Sequence, residues 1–356
     1  MNPTAISRAH HIELVNVTLD TFFEESIKEA ELINDAYKQL WQNLHAVIKS
    51  GGKRVRPQMT LLAYDVFGGV DSNSIIQVAA AQELLHCSLL IHDDIIDRDY
   101  IRHGVPNIAG QYDTIYHPHV TDKAERTHYA NSAALLGGDL LLSGAYQMIA
   151  IATIPDDKKI LAQKILGQSI FEVAGGELLD TESAFRPNDF GDALQIARYK
   201  TASYSFIFPL QTGAVLAGAS SEQLSALTSF GTALGIAYQL VDDLLGVFGD
   251  ETKTGKSSSG DIREGKRTYL VEQCLERLSG KDRELFDLSF GDPDATITTI
   301  AKVKDLFISC GAKAATEQAI RQYETSARAA LSQLSLAPEP QAEFEALIKK
   351  VVERTA

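Results

Sequence analysis

Two aspartates, Asp93 and Asp94, interrupt an apolar stretch that runs from Leu89 to Ile96, and a third, Asp97, directly follows it. On a helix, Asp93 and Asp97 lie on one face a single turn apart, where like charges repel. A hard divalent cation such as Mg²⁺ offsets this repulsion and keeps most of its coordination sites for water and phosphate oxygens. Taken alone, the stretch leaves a solvated acidic helix face open as the alternative.

A second acidic pair has the same local pattern. Asp242 and Asp243 stand between the apolar pairs Leu240-Val241 and Leu244-Leu245, again inside a long apolar segment. The repeat weakens the solvated-face interpretation, because two such interruptions of apolar helices point to a shared purpose. We therefore expect two facing helices whose carboxylates hold metal ions together.

Basic residues accompany both acidic segments. Lys53, Arg54 and Arg56 follow two glycines at the predicted start of a helix, where free N–H groups and the helix dipole favour anions. Carboxylates ringed by Lys and Arg suit a diphosphate carried on Mg²⁺, and a basic cluster without its own carboxylates suits a second, metal-free diphosphate. The remaining basic candidates are His86, Arg102, His103, Lys253, Lys256, Lys266 and Arg267.

The composition limits the possible partners and compartments. The 356 residues carry a formal net charge of -14, which argues against general binding to nucleic acid or anionic membranes. Cys87, Cys274 and Cys310 are odd in number and lack metal-ligand spacing, as is typical of a reducing compartment. We see no signal peptide and no apolar run near the roughly 20 residues that span a bilayer, so we expect a soluble protein without a transmembrane segment.

Helical periodicity dominates the chain, and strand signals are nearly absent. Long loops are expected over 105–129, with room for one short helix, and over 249–268, and a shorter loop is expected over 181–188. Pro209 is expected to kink or end a helix. No interdomain linker is visible. We predict an all-α fold, a single large helical bundle with a central cavity that forms one domain over residues 1–356.

Several motifs make the chain resemble the trans-isoprenyl diphosphate synthases, the polyprenyl synthetase family, from Gly51 to Thr268. The acidic motif Asp-Asp-x-x-Asp starts at Asp93, preceded by His86. The others are Gly-Gly-Lys-Arg-Val-Arg-Pro at 51–57, Arg-x-Gly-x-Pro at 102–106, Gly138-Asp139, Lys200-Thr201, Gln239 before the second aspartate pair, and Gly265-Lys266-x-Thr268.

The resemblance implies a bundle of the isoprenoid synthase type and a role for each matched residue. Asp93, Asp97 and Asp242 would be the main ligands of Mg²⁺, three ions per site, with Asp94 and Asp243 in support. The allylic diphosphate would be bound by Arg102, Lys200 and Lys256, and isopentenyl diphosphate by Lys53, Arg56 and His86. Lys266 would contact one of the two diphosphates. Thr201 and Gln239 would lie near the reacting carbon.

The implied reaction needs no nucleophilic side chain. Mg²⁺ and the cations stabilise the departing diphosphate, the allylic carbocation is attacked by the double bond of isopentenyl diphosphate, and a proton is lost. The resemblance also implies a homodimer, and we expect a cytoplasmic enzyme. A non-catalytic binding subunit of the same fold, a terpene cyclase and a His-Asp phosphohydrolase are the alternatives.

Two positions depart from the family pattern. Gly246 stands where a third aspartate of the second motif is common, and Asp250 is a candidate to supply the missing carboxylate. His103 stands where a second arginine is common, so we expect weaker and pH-sensitive isopentenyl diphosphate binding if His103 contacts that substrate.

Product length in this family depends on bulk one turn before the first aspartate. Those residues are Ser88 and Leu89, neither of them aromatic, so geranylgeranyl diphosphate or a somewhat longer product is expected. Candidates for a deeper floor, for which core packing is the alternative, are Leu85, Tyr146 and Met148.

Overall fold

The computed structural model describes residues 3–49, 51–102, 104–185, 192–249 and 258–354. They form two compact units. The first comprises residues 1–167 and 209–219, and the second comprises residues 168–208 and 220–356. Both are helical, which confirms the all-α prediction. The only strands in the described ranges are two residues long, β1 (Ile101–Arg102) and β2 (Val105–Pro106), paired antiparallel.

In the first unit, the long apolar helix that carries the first acidic motif packs mainly against one later helix of the same unit. These two are α4 (Ile76–Ile96) and α6 (Lys123–Ala150). Small residues allow the close approach, since Ala79, Ala80 and Ala81 of α4 are completely buried. The other elements are α1 (Pro3–Glu31), α2 (Asp35–Lys49), α3 (Val55–Val66), a 3₁₀ turn (Ser72–Ile75), α5 (Ile108–Tyr116), the start of α7 (Asp156–Phe185) and α9 (Phe208–Ala217).

In the second unit, α10 (Ser221–Phe248) carries the second acidic pair and packs against a π-helical segment (Ala197–Ile207) and α15 (Ala312–Gln333). A cluster of buried aromatic and aliphatic side chains, including Phe286 and Phe307, forms a core around the later helices. The other elements are the end of α7, α8 (Ala193–Ile196), α11 (Gly260–Glu264), α12 (Tyr269–Leu275), α13 (Gly280–Ser289), α14 (Ile297–Ser309) and α16 (Pro338–Val352).

Polar side chains cap several helices and fix where they begin. Ser220 and Gln223 form a capping box at the start of α10, with each side chain accepting from the other residue's backbone N–H. Asp192 caps α8. Asn107 and Asp122 cap α5 and α6. α5 is the short helix for which the prediction over 105–129 left room, but α6 already begins at Lys123, so the prediction of a long loop up to residue 129 was wrong.

Two further local predictions need correction. The segment 181–188 was expected to be a loop, but α7 continues to Phe185. Pro209 lies in the first turn of α9 and neither ends nor interrupts the helix that runs from Ala193 to Ala217. The irregular part of the helix is the π-helical segment, which lies just before Pro209. Pro209 has no N–H, so one regular helical hydrogen bond to this segment is missing.

Among the residues that the structure describes, three helical segments are long and apolar enough to cross a membrane, judged by length and composition alone. They are Ser72–Ile96, Lys123–Ala150 and Ser221–Phe248. This corrects the expectation that no apolar run approaches that length. Within the structure, 72%, 50% and 61% of their most apolar stretches are buried, so protein contacts cover much of this apolar surface.

Candidate functional site

The first acidic motif lies at the carboxyl-terminal end of α4. Asp93 belongs to the last full turn of α4, and Asp97 directly follows the helix as its C-cap. The Asp97 N–H donates to the Asp93 carbonyl oxygen over 2.8 Å. The two residues therefore lie one turn apart on the same face, as predicted. Asp97 is exposed and Asp93 half-buried, so both carboxylates of this pair are accessible from solvent.

Arg102 holds the two neighbouring aspartates of this motif. Its Nε donates to Asp94 Oδ1 over 2.8 Å, and its Nη2 donates to Asp93 Oδ2 over 3.1 Å. The short β1–β2 ribbon positions Arg102 opposite Val105. Burial raises the pKa of Asp94, and the hydrogen bond from Arg102 offsets only part of that effect. A guanidinium is thus already placed against the carboxylates where a diphosphate would be bound.

The glycine-rich basic loop is built around a buried arginine. Gly51 and Gly52 have φ angles of 125° and 151°, which side chains other than glycine rarely adopt. The Arg54 side chain donates to Glu83 over 2.8 Å, to Asn16 over 2.9 Å and to the Ile48 carbonyl oxygen over 3.0 Å. Arg54 is therefore a structural residue of this loop, a role that the sequence did not reveal.

The predicted isopentenyl diphosphate residues are divided between this loop and α4. Lys53 is exposed, and Arg56 lies half-buried in the first turn of α3. His86 lines a cavity of about 450 Å³ together with Gly51, Gly52 and Arg102. Glu83 also lines the cavity, so the ion pair with Arg54 ties the loop to the helix that presents His86. Lys53 and Arg56 do not line it.

The two predicted chain-length residues have different surroundings. Ser88 is completely buried, and its hydroxyl donates to the Gly138 carbonyl oxygen of α6 over 2.8 Å. Leu89 is only half-buried. Of the candidates for a deeper floor, Leu85 and Met148 are core residues, each 1% exposed. The roles of Ser88 and Leu89 in product length remain predictions.

In the second unit, the π-helical segment carries Lys200 and Thr201. Lys200 Nζ lies 2.6 Å from Asp180 Oδ2 and 3.0 Å from Glu177 Oε2, both on α7. π-Helical turns are rare and are frequently found at functional sites, because they displace backbone carbonyls from the regular helical pattern. The carboxylates of Asp180 and Glu177 were not identified from the sequence, since nothing in α7 distinguishes them from an ordinary acidic helix face.

A hydrogen-bonded chain joins three predicted residues. The Thr201 hydroxyl donates to Gln239 Oε1 over 2.6 Å, and Gln239 Nε2 donates to Asp243 Oδ1 over 2.7 Å. The two different partners fix which end of the Gln239 amide points in each direction. The lone pairs of the Thr201 oxygen remain available to another group.

The two aspartates of the second motif differ in environment. Asp243 is 6% exposed, and burial raises its pKa to about 7, although Lys266 and the hydrogen bond from Gln239 act against this rise. Asp242 is more accessible, and its Oδ1 lies 3.4 Å from Nη1 of Arg354. Arg354 also stacks over the Tyr238 ring at 4.7 Å and was not singled out from the sequence.

Lys266 belongs to the surroundings of Asp243. Burial lowers the pKa of Lys266, but Asp261 and Asp243 outweigh this effect and raise it. A small cavity of about 70 Å³ is lined by Lys266 together with Lys200, Thr201, Gln239 and Asp243. The structure thus brings five predicted residues of the second unit together.

The carboxylate of Asp261 fills the space beside Gly246, where the second motif lacks its third aspartate. A Cβ atom at position 246 would collide with the Asp261 carboxylate, which lies against the Gly246 backbone. Asp261 belongs to α11, a short helix within a segment predicted to be a loop, so its place beside Gly246 was not foreseen. Asp250, the expected substitute, lies outside the described residues, as do His103, Lys253 and Lys256.

The donor sets are suited to a hard cation that keeps most of its own ligands. Across the described ranges, no three His, Cys, Asp or Glu side chains are grouped as a cage for a metal ion. Each acidic motif instead offers carboxylate oxygens from neighbouring aspartates. Mg²⁺ is usually held by one or two carboxylates together with water and phosphate oxygens, so the residues fit this ion.

A family comparison matches most of the chain. Residues 37–307 match the model of the polyprenyl synthetases. The chain belongs to the polyprenyl synthetase family. The geranylgeranyl diphosphate synthase of Sulfolobus acidocaldarius is 32% identical over 295 residues, 81% of this chain and 84% of that protein. The geranylfarnesyl diphosphate synthase of Aeropyrum pernix is 34% identical over 319 residues, 88% of this chain and 93% of that protein.

A solved structure extends the match to the fold. The geranylgeranyl pyrophosphate synthase of Corynebacterium glutamicum, complexed with isoprenyl diphosphate and magnesium, has a TM-score of 0.89 and 30% identity. The alignment covers 97% of this chain and 98% of that one. These findings confirm the predicted family, the isoprenoid synthase fold and the trans-prenyltransferase class, and they do not favour the cyclase, hydrolase or binding-subunit alternatives.

Proposed function

We propose that this polyprenyl synthetase condenses isopentenyl diphosphate with an allylic diphosphate to give geranylgeranyl diphosphate or a somewhat longer product. The observation that carries the proposal is the placement of a cation beside each acidic motif. Arg102 donates hydrogen bonds to Asp93 and Asp94, and the positive charge of Lys266 favours the ionised form of Asp243. Carboxylates paired with cations suit a metal–diphosphate complex, in which both signs of charge need partners.

Mg²⁺ ions, three per active site, would be held by Asp93, Asp97 and Asp242, with Asp94 and Asp243 in support. When bound, they supply Lewis-acid stabilisation of the departing diphosphate. The site can accept these ions because the carboxylates of Asp97 and Asp242 are accessible from solvent.

Arg102, Lys200 and Lys266 neutralise the charge that grows on the leaving diphosphate as the allylic C–O bond breaks. The ammonium of Lys200 is held by Asp180 and Glu177, so it is fixed in place before the substrate arrives. Lys256 is assigned to the same diphosphate on the family motif alone. The released diphosphate keeps the bonding electron pair, and the allylic carbon becomes a carbocation.

Thr201 and Gln239 supply neutral oxygens for that carbocation. Because the Thr201 proton is committed to Gln239, the oxygen lone pairs can face a positive carbon. Neutral oxygens stabilise the cation by their dipoles and form no lasting bond with it. The double bond of isopentenyl diphosphate then attacks the carbocation, and the diphosphate product accepts the proton that is lost.

Lys53, Arg56 and His86 would bind the diphosphate of isopentenyl diphosphate without a metal ion. The cavity that His86 shares with Gly51 and Gly52 supports this assignment, because the loop with both basic residues begins there. His103 is a further candidate contact from the sequence. The proposed product length follows the half-buried Leu89, the absence of an aromatic side chain at 88 or 89, and the names of the relatives.

A homodimer is supported by an apolar stripe on α7. Phe171, Leu178 and Phe185 recur every seven residues and are 75%, 68% and 75% exposed. Seven residues are about two helical turns, so the three side chains share one face, and such a face is normally covered by a partner. We further propose that residues 1–356 act as one cytoplasmic enzyme domain, since the solved relative covers 97% of the chain.

The test is an incubation with Mg²⁺, labelled isopentenyl diphosphate and either dimethylallyl, geranyl or farnesyl diphosphate, followed by chromatography of the products. We expect elongation to geranylgeranyl diphosphate, and its loss on chelation of the metal. Lys200→Ala should slow turnover, and Lys158→Ala, a partly buried lysine of the first unit, is the matched control. Release of free alcohol without elongation would favour a hydrolase, and no reaction with any primer would favour a binding subunit.

A further inference from the structure

Two cysteines of the second unit lie side by side. Cys310 Sγ is 3.6 Å from Cys274 Sγ, although 35 residues separate them in the chain. Both are present as thiols, as is the third cysteine, Cys87. We propose that Cys274 and Cys310 form a redox-modification site, in which a hydroperoxide converts the two thiols into an intramolecular disulfide. This inference does not depend on the proposed function.

The two thiols have complementary exposure. Cys274 is completely buried in the core cluster that contains Phe286 and Phe307, whereas Cys310 is half-buried and open to a small oxidant. Burial and the neighbouring Cys310 raise the pKa of Cys274, and the positive charges of Arg283 and Arg277 oppose this. Cys310 is therefore the sulfur that meets the oxidant first, because it is the more accessible of the two.

The chemistry follows from this order. The Cys310 thiolate attacks the peroxide O–O bond, forms a sulfenic acid and releases hydroxide, so sulfur is oxidised and the peroxide is reduced. The Cys274 thiol then attacks the sulfenic sulfur, the S–O bond breaks, and water leaves with the Cys274 proton. The product is a disulfide, and the hydroperoxide supplies the whole two-electron oxidation.

The backbone around both cysteines permits the required approach. A disulfide has an S–S distance of about 2.05 Å, so the sulfurs must move closer by roughly 1.5 Å. Cys274 is the next-to-last residue of α12, and Cys310 directly follows the end of α14. Residues at helix ends adjust more readily than residues in a helix interior, because fewer backbone hydrogen bonds hold them.

The bond would close a loop that contains α13 and α14. A cross-link of this length restricts the unfolded chain more than the folded one, so the oxidised protein should unfold at a higher temperature than the reduced protein. Cys87 lies buried in the first unit, with a pKa raised by burial to about 12, and serves as the internal control for nonspecific oxidation.

The experiment treats the full-length protein with hydrogen peroxide and reads the intact mass, the cross-linked peptide and the unfolding temperature. We expect a loss of about 2 Da that a reductant reverses, a Cys274–Cys310 peptide, and a higher unfolding temperature. Cys87→Ser should keep all three, and Cys310→Ser should lose them. Cys274→Ala is the second variant, in case Cys310→Ser fails to fold.

Three outcomes would overturn the proposal. One is a folded protein that keeps both thiols after peroxide treatment. The second is accumulation of Cys310 sulfinic acid without a cross-link, and the third is a disulfide that involves Cys87.

Discussion

The carboxylate of Asp261 lies against the backbone of Gly246, in the space that a side chain at position 246 would occupy. A third aspartate at position 246 would therefore require the Asp261 side chain to move. A carboxylate at 246 would meet another carboxylate at contact distance, with steric overlap added to charge repulsion. Asp261 thus places a carboxylate beside the second motif from a different helix.

Gly246→Asp should therefore destabilise the protein and should not improve it. We expect a loss of about 1 kcal/mol in unfolding free energy, mainly from like-charge repulsion, because the Asp261 side chain can turn away from the new side chain. Urea denaturation measures it. The matched variant Gly246→Asp with Asp261→Gly removes the collision and should recover most of the loss. Additive effects of the two substitutions would show that the residues do not interact.

Asp97 and Asp243 should differ in what their substitution damages. Asp97 is exposed at the end of α4, so Asp97→Ala should reduce kcat by at least about 100-fold, equivalent to about 2.7 kcal/mol, without changing Tm. Asp243 is buried and bonded to Gln239, so Asp243→Ala should lower Tm as well as activity. Activity assays and thermal unfolding separate the two effects. A harmless Asp97→Ala together with an inactive, stable Asp243→Ala would contradict the assignment of the metal ligands.

Leu89 offers a sharper test of product length than Ser88. Leu89→Phe adds bulk at a half-buried position and should shorten the product, as seen by chromatography, with little change in Tm. Ser88→Phe is also expected to shorten the product, but it overpacks a completely buried site against α6 and should lower stability by about 1–3 kcal/mol. Leu89→Met conserves volume and is the control. An unchanged product from folded Leu89→Phe would refute a floor at this level.

The buried Arg54–Glu83 pair should be essential for the basic loop. Arg54→Ala leaves Glu83 buried without its cation and should destabilise the first unit by about 3–5 kcal/mol. Arg56→Ala, in the same loop, should raise KM for isopentenyl diphosphate with little change in Tm. Thermal unfolding and steady-state kinetics measure both variants. Equal effects of the two substitutions on stability would argue against a structural role for Arg54.

Glu272 should make stability depend on pH. Burial raises its pKa to about 7, while its bond to the Ala193 N–H acts in the opposite direction. The unfolded chain ionises Glu272 near pH 4.5, so folded stability falls as pH rises from there and levels off above about 7. Glu272→Gln keeps an oxygen acceptor but does not ionise. As pH rises through this range, its free energy of unfolding should increase by about 1 kcal/mol relative to wild type, after allowance for solvent screening. Unfolding curves from pH 4.5 to 8 check this, and a pH-independent difference would contradict it.

The sequence predicted the helical fold and the residue groups of the site, because periodicity, caps and charge are local properties. It did not predict the partners that hold those residues. Arg54 looked like one of three equivalent cations, and only the packed structure shows its bonds to Glu83 and Asn16. Asp261 lies 15 residues from Gly246 in the chain, and Arg354 lies 112 residues from Asp242. No local sequence pattern indicates contacts between residues so far apart. The loop error over 105–129 concerns the start of α6, because the polar, His- and Tyr-containing sequence after Asp122 concealed an ordinary capped helix.

The π-helical segment, Ala197–Ile207, limits how the number of residues in this segment can vary between related chains. Conversion to regular α-helix by deletion of one residue would rotate the following side chains by about 100° relative to those before it. A deletion before Thr201 would thus turn its hydroxyl away from Gln239, although no loop is altered and no site residue is removed. Insertions and deletions should therefore be as rare between Ala197 and Ile207 as substitutions of the site residues themselves.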